Sequence, residues 1–299
     1  MRIIVLGSAA GGGFPQWNCG CPNCRRAWAG DPALRPRTQS SLAVTADGER
    51  WLLLNASPDI RQQILATPAL QPRHDGRDSP IASVLLTNGD VDHVAGLLTL
   101  REKQPFDLHA TRATFDILRH DRIFGVLDRA VVRERELVLD RATAIGGGLT
   151  VRAFAISGKT PLYMETGEVE VGAETESVIG LEVDDGRSRF VYAPGCAAIT
   201  PALRDRLAGA PLVFFDGTTF TDDEMPRLGL SPKTARRMGH TPMSGPDGSM
   251  ALLADVPIGR RVYVHINNTN PVLVETSPER ATVEAAGWVV AHDGMEFEL

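Results

Sequence analysis

The sequence has few cysteines, no long hydrophobic run and no excess of positive charge. Only four of its 299 residues are cysteine, and a chain of this length can bury a core without disulfide cross-links. No apolar run approaches the roughly 20 residues of a bilayer-spanning helix, and the apolar start of the chain is shorter than a signal-peptide core. The net charge of -6 argues against binding nucleic acid through its phosphates. These absences predict a cytoplasmic protein with neither a membrane nor a nucleic-acid partner.

What remains is the composition of a globular protein, with 43% hydrophobic and 23% charged residues. Short β-branched segments predict strands at residues 3–6, 42–45, 51–54, 81–86, 149–154, 177–183, 189–192, 212–215 and 261–265. Periodic apolar segments predict helices at residues 59–66, 94–102, 112–119, 201–208, 231–238 and 278–286. Strands outnumber helices without regular alternation. The pattern therefore favours one α/β (α+β) domain over residues 1–299, a sandwich with mixed sheets.

Three of the four cysteines lie close together in a CxCxxC motif within residues 18–24, namely Cys19, Cys21 and Cys24. Thiolates at this spacing can converge on one tetrahedral ion, and zinc is the ion that such sites prefer. An iron–sulfur cluster would normally need a fourth cysteine. The motif therefore predicts a structural zinc in the loop at residues 18–24. Its fourth ligand stays open among three candidates: Cys196, His240 and a group near Asn268.

A second set of metal-binding side chains follows predicted strands. Asp90, Asp92 and His93 come directly after the strand at residues 81–86, Asp216 follows residues 212–215, and His265 ends residues 261–265. Each residue alone is equally compatible with a turn cap or a packed histidine. Because several strands end in such residues, we expect a metal site at one rim of the sandwich.

These segments resemble the metallo-β-lactamase superfamily, whose motif HxHxDH follows a strand. Here the matching residues are Asn88-Gly89-Asp90-Val91-Asp92-His93, so the last Asp-His pair is present and the first two histidines are replaced. Ser157 stands where the superfamily has its third histidine, and His265 matches its late histidine. The bridging aspartate would fall within residues 192–196, where no acid occurs, and Asp216 is a candidate substitute.

The replaced positions are those of the superfamily's first metal ion. The resemblance implies that Asp92, His93 and His265 are the ligands of the retained second metal ion. It therefore implies one catalytic metal instead of two. Two histidines and one carboxylate with open positions are also the ligand set of non-haem iron oxygenases.

The combination of CxCxxC, the degenerate NxDxDH, GHTPMSG at residues 239–245 and HINNTNP at residues 265–271 resembles the pyrroloquinoline quinone (PQQ) biosynthesis protein B family over the whole chain. The resemblance implies a four-layer αββα sandwich, a homodimer linked to the structural zinc, and an iron-dependent hydroxylase. Its implied substrates are O₂ and the tyrosine ring of a cross-linked Glu–Tyr product of the precursor peptide.

Under this hypothesis, Fe(II) is held by Asp92, His93 and His265, with Asp90 or Asp216 as an extra ligand, although other divalent metals accept the same groups. His240 and Asp90 are the candidate catalytic residues, His240 as acid/base or to orient the substrate. A Glu–Tyr substrate carries carboxylates, so arginine or lysine should line the cleft.

Two other functions fit the same residues less well. A carrier of PQQ or its precursor, once proposed to assist transport to the periplasm, would bind the compound without changing its mass. A metal-dependent hydrolase of the two-metal kind would need the missing histidines.

Overall fold

The computed structural model describes residues 1–165 and 170–299. Its strands form two seven-stranded mixed sheets, with the orders β14-β1-β2-β3-β4-β5-β6 and β13-β12-β11-β10-β9-β8-β7. The strands of the described residues are β1 (Arg2–Gly7), β2 (Ser41–Thr45), β3 (Trp51–Leu54), β4 (Ile81–Leu85), β5 (Phe106–Ala110), β6 (Val132–Glu136), β7 (Ala142–Gly146), β8 (Leu149–Lys159), β9 (Val171–Asp184), β10 (Arg189–Ala193), β11 (Leu212–Asp216), β12 (Arg260–Val264), β13 (Trp288–Val290) and β14 (Glu296–Glu298).

The helices are short and several begin with a side-chain cap. The Thr200 and Ser277 hydroxyls accept hydrogen bonds from the first turns of their helices, each followed by a proline that suits the first helical position. The α-helices are α1 (Pro22–Trp28), α2 (Ile60–Ala66), α3 (Val91–Val94), α4 (Arg112–His120), α5 (Pro201–Leu207), α6 (Glu224–Arg227), α7 (Ala235–Met238), α8 (Ser249–Leu252) and α9 (Pro278–Ala285). Short 3₁₀ helices lie at Pro68–Leu70, Ala95–Leu98, Arg122–Val126, Leu162–Met164 and Pro271–Leu273.

Alternating side chains along the strands build four layers. In β3, Leu52 and Leu54 pack into the cluster between the two sheets, whereas Trp51 and Leu53 pack outward against helices. In β12, Val262 points to the same central cluster while its neighbours alternate outward. Because both faces of each sheet are covered at its centre, the central strands β2, β3, β10 and β11 are buried almost throughout, whereas the edge strands β6, β7 and β14 are largely exposed. The αββα sandwich expected from the sequence is therefore confirmed.

Parallel strands meet at the rim that carries the predicted ligands. Strands β3 to β6 run parallel in one sheet, and β10 to β13 run parallel in the other. The connections after β4, β11 and β12 therefore leave their sheets by their carboxyl ends. This arrangement brings Asp92, Asp216 and His265 to one cleft.

Several predicted elements were wrong in extent. The helix expected at residues 94–102 is a single α-turn, α3, followed by the 3₁₀ segment Ala95–Leu98, and the helix expected at residues 231–238 is only α7. Strands β5, β6, β7, β13 and β14 were missed. Two of them have only three residues, and β6 reads Val-Arg-Glu-Arg-Glu with four exposed side chains.

Within residues 1–165 and 170–299, no helix has the length and hydrophobicity needed to cross a bilayer.

Candidate metal centres

The first centre is formed by Asp92, His93 and His265, which two segments of chain, the turn α3 and the end of β12, place together. Ligand atoms of these three side chains lie within 4.8 Å of one another. Asp92 Oδ2 is 3.1 Å from His265 Nε2 and 4.0 Å from His93 Nε2. The Nε2 atom of His93 is buried and has no hydrogen-bond partner among the described residues. The unpaired His93 nitrogen, a carboxylate and a second histidine together form a donor set that a divalent metal ion is expected to bind.

Hydrogen bonds on the far side of each ring fix which nitrogen faces the cleft. His93 Nδ1 lies 2.7 Å from Asn88 Oδ1, and His265 Nδ1 lies 2.8 Å from Thr218 Oγ1. The Thr218 hydroxyl donates to Asp216 Oδ1, at 2.6 Å, so it accepts from His265. Both rings therefore carry a proton on Nδ1 and direct Nε2 toward Asp92, with His93 Nε2 unpartnered among the described residues and His265 Nε2 within hydrogen-bonding distance of Asp92.

A second triad of side chains shares His265. Asp216, His240 and His265 also place one ligand atom each within 4.8 Å. Asp216 Oδ2 accepts a hydrogen bond of 2.7 Å from His240 Nδ1, and the His240 and His265 rings are stacked 5.3 Å apart. Asp216 is fully buried and also accepts from the backbone of Cys196. These contacts make Asp216 a partner that orients His240 and Thr218.

Burial and charge set the ionisation of the site. Burial lowers the pKa of His93 to about 4, which keeps the imidazole neutral and able to bind a metal. Burial by itself would raise the pKa of Asp92, but His93 and His265 outweigh it and hold that pKa below its usual range. In the same way, His240 outweighs burial and lowers the pKa of Asp216. Both carboxylates are therefore ionised near neutral pH.

The residues that replace the superfamily's three lost histidines, Asn88, Asp90 and Ser157, form hydrogen bonds near the centre. Asp90 Oδ2 accepts a 2.7 Å hydrogen bond from Asn88, and Asp90 belongs to neither group of converging ligands among the described residues. The Ser157 hydroxyl donates to the backbone of Gly172. Asn88, predicted only as a lost histidine, instead connects His93 to Asp90.

The cysteine centre lies elsewhere on the same rim. The sulfurs of Cys19, Cys21 and Cys24 lie within 4.8 Å of one another. Asn268 Nδ2 is 3.1, 3.7 and 3.3 Å from these three sulfurs in turn. Because an amide can be turned over to exchange its nitrogen and oxygen, Asn268 is placed to offer Oδ1 as the fourth ligand. Cys196 and His240, the other two candidates, were wrong for this role because both lie beside Asp216.

One segment, residues 265–271, connects the two centres. His265 has a left-handed φ of 56°, which a non-glycine residue adopts only where its surroundings hold it. The next residue, Ile266, donates to Ser8 O and accepts from Ala10 N, at 2.9 Å each, and Asn267 donates to Thr218 O. The glycine-containing turn after β1 therefore packs directly on this segment. At Gly7, a Cβ would lie 2.0 Å from the Gln39 carbonyl oxygen, so close backbone approach explains this glycine.

The His/Asp centre opens into a cavity of about 410 Å³. Besides the ligands, this cavity is lined by His240, Thr218, Lys159, Lys233 and Leu162. Thr218 was not predicted from the sequence, and the expectation that arginine or lysine lines the cleft named neither lysine. The position of Thr218 two residues after Asp216, in the same post-strand turn, was the available signal for it.

Comparison with known proteins agrees with this geometry. Residues 50–266 match the family described as the Beta-lactamase superfamily domain. Coenzyme PQQ synthesis protein B of Methylobacterium nodulans is 60% identical over 299 residues, and that of Xanthomonas oryzae pv. oryzae is 53% identical over 300, each match covering all of both chains. The chain belongs to the coenzyme PQQ synthesis protein B family. The family predicted from the sequence is thus confirmed.

Solved structures give the same result for the fold. The crystal structure of Zn²⁺-bound PqqB from Methylobacterium extorquens superposes with a TM-score of 0.98 at 57% identity, covering all of both chains. A diphosphatase of the PhnP family superposes with a TM-score of 0.71 at 21% identity, covering all of this chain and 98% of that one. The second likeness shows the fold alone. The role in PQQ biosynthesis expected from the sequence is supported by the family membership, whereas the chemistry of the step is a separate question.

Proposed function

We propose that this chain is an iron-dependent oxygenase of PQQ biosynthesis, which hydroxylates the tyrosine ring of a cross-linked Glu–Tyr intermediate. The observation that carries the proposal is the set of two histidines and one carboxylate formed by His93, His265 and Asp92, which lines an open cavity. The likeness to the PhnP-family diphosphatase shows the fold alone, and the sequence resemblance implies that the ligand positions of the superfamily's first metal ion are replaced. Asn88 and Ser157 occupy two of those positions, and their amide and hydroxyl are weak ligands.

The residues present fit a ferrous ion. The buried, unpaired Nε2 of His93 and the neighbouring Asp92 and His265 would hold it, and it would supply activation of O₂ at the positions that the protein leaves open. The protein's own contribution is orientation. Asn88 and Thr218 fix both imidazole rings, so that the ligand atoms need not reorganise when the site is used.

His240 is positioned to act as a general base. Its Nδ1 donates to the ionised Asp216, which leaves the opposite ring nitrogen, Nε2, as an acceptor at the cavity. Hydroxylation of a phenol requires loss of the ring proton at the new C–O bond, and the phenolic hydroxyl is a second proton donor. His240 is the group we assign to accept one of these protons.

The proposal is tested by aerobic incubation of the iron-loaded protein with the Glu–Tyr compound, a reductant and labelled O₂. We expect a product heavier by the mass of oxygen from O₂, together with oxygen uptake. A compound recovered unchanged at one-to-one stoichiometry would instead support the carrier function. Robust esterase or phosphodiesterase activity with zinc would support the hydrolase.

For the cysteine centre we propose a structural zinc held by Cys19, Cys21, Cys24 and the amide oxygen of Asn268. The support is the enclosed position of the sulfurs, since Cys21 and Cys24 are buried. The homodimer implied by the family resemblance is proposed with it. Size-exclusion chromatography before and after removal of zinc by a chelator tests that part, and a dimer that persists without zinc contradicts the link.

A further inference from the structure

Three cations converge on one carboxylate at the mouth of the cavity. Lys159 Nζ lies 2.9 Å from Glu165 Oε1, and Lys233 Nζ lies 3.4 Å from Glu165 Oε2. Arg237 approaches both carboxylate oxygens, at 3.4 and 3.2 Å. Glu165 is thus the common partner of two lysines and one arginine, so the cluster carries a formal excess of two positive charges.

Two of the three cations of the cluster face the cavity of the His/Asp centre. Lys159 and Lys233 line the same 410 Å³ cavity as Asp92, His93 and His265. The side chains of Lys159 and Glu165 are only 13% and 11% exposed. The side chains of Lys233 and Arg237 are 33% and 38% exposed, so the Lys159–Glu165 pair is the strongest interaction of the cluster and the two partly exposed cations add less.

The segment that carries Glu165 is fixed over the cavity. Leu162 lines the cavity, and the Tyr163 hydroxyl donates a 2.9 Å hydrogen bond to the carbonyl oxygen of Gly89, in the turn that bears Asp92. Hydrogen bonds from Arg237 and Lys159 lower the pKa of Glu165 to about 2, so the carboxylate is ionised at every physiological pH. A permanently charged carboxylate therefore occupies the cationic cluster.

We propose that Lys159, Lys233 and Arg237 form the carboxylate-binding site of this cavity, and that Glu165 is an internal counter-ion which a ligand carboxylate displaces or joins. The ligand class is a compound with two or more carboxylates, since one carboxylate leaves the excess charge uncompensated. Identification of the physiological ligand as the Glu–Tyr intermediate rests on the proposed function. The binding chemistry itself does not.

Glutarate serves as the probe, with glutaramide as its uncharged counterpart, in calorimetric titrations of the metal-loaded full-length protein at low salt. We expect glutarate to bind and glutaramide not to bind. Glu165→Gln should tighten glutarate binding about tenfold, because one competing charge-assisted hydrogen bond is removed. Lys233→Gln should weaken binding about tenfold for the converse reason.

Glu134→Gln is the matched control, because Glu134 forms an ion pair with Arg119 on the opposite sheet, away from the cavity. It should leave glutarate binding unchanged. Equal affinity of the wild type, Glu165→Gln and Lys233→Gln would overturn the proposal, as would weaker binding by Glu165→Gln. Because no turnover is measured, a protein that binds glutarate through these residues but fails to hydroxylate keeps this inference and loses the proposed function.

Discussion

The two centres of this protein use opposite means to hold a metal. The cysteine centre is made by one short loop and one amide, and two of its three thiols are buried, so the site is largely closed to solvent. The His/Asp centre draws its ligands from turns more than 170 residues apart in sequence and opens into a large cavity. A closed site suits a structural ion and an open site suits a reacting one.

The comparison also shows where each site obtains its rigidity. In the cysteine loop, backbone amides of Cys21 and Cys24 donate to neighbouring sulfurs, so the loop itself orders the ligands. In the His/Asp centre, order comes from side chains behind the ligands, above all Asn88 and Thr218. Damage to the first site should appear as lost stability, and damage to the second as lost activity.

The largest effect is expected from removal of a ligand of the open site. His93→Ala or His265→Ala should abolish oxygen uptake and product formation, because the remaining two ligands cannot hold the ion. The thermal midpoint should change much less than turnover. Wild-type turnover by either variant in the oxygen-electrode assay would contradict the assignment.

The next effect concerns the partner of His240. Asp216→Asn keeps the shape of the buried side chain but removes the charge that orients His240, and we expect turnover to fall about 10²–10⁴-fold. Iron content, measured by metal analysis, should remain near that of the wild type. A variant that loses its iron in proportion to its activity would show Asp216 to be a ligand instead.

The closed site should respond in stability. Cys24→Ser removes one of three thiolates, and we expect zinc loss and destabilisation of about 3 kcal/mol, a fall of roughly 5 °C in the thermal midpoint. Cys196→Ser is the matched control, because Cys196 is equally buried but lies outside the cluster. It should keep its zinc, and zinc loss from both variants would refute the assignment of the cluster.

A weaker effect is expected from a change to a residue that orients a ligand of the open site without being a ligand itself. Asn88→Ala removes the acceptor for His93 Nδ1, and we expect iron affinity to fall about 10–100-fold while the fold is retained. Competition with a fluorescent chelator measures this change. An unaltered affinity would mean that packing alone orients the His93 ring.

The smallest effect is expected from a buried histidine that lies outside both centres, His109, and it concerns the free energy of unfolding. Burial lowers the pKa of His109, in β5, to about 4, and neither ring nitrogen has a partner among the described residues. The folded state therefore disfavours protonation, and stability should fall as the pH drops below about 6.5, the pKa of an unfolded histidine. Between pH 7 and 5.5 the loss should be about 1 kcal/mol.

His109→Leu should show less of this acid sensitivity in urea unfolding at the two pH values. The two proteins should differ because the leucine has no charge to gain. Identical pH dependence in both would show that His109 is not protonated on unfolding in this range.

The sequence predicted the parts of both sites that local patterns encode. CxCxxC and the Asp-His pair lie within a few residues, and His265 stands at the end of a strongly β-forming segment, so their chemistry was visible without a structure. The cluster around Glu165 was not visible, because residues 159, 165, 233 and 237 meet only through the packing of separate elements. The same applies to β13 and β14, whose three residues carry too little pattern to predict a strand.

The segment from His265 to Asn268 is expected to couple metal binding at the two centres. Its backbone is held on both sides by hydrogen bonds to Ser8, Ala10 and Thr218, so the positions of His265 and Asn268 depend on the same contacts. If the proposed zinc orders Asn268, it is expected to order His265 as well, three residues away. Linkage is reciprocal, so occupancy of the open site must stabilise zinc binding by the same amount. Zinc supply would then set how readily the protein acquires its second ion.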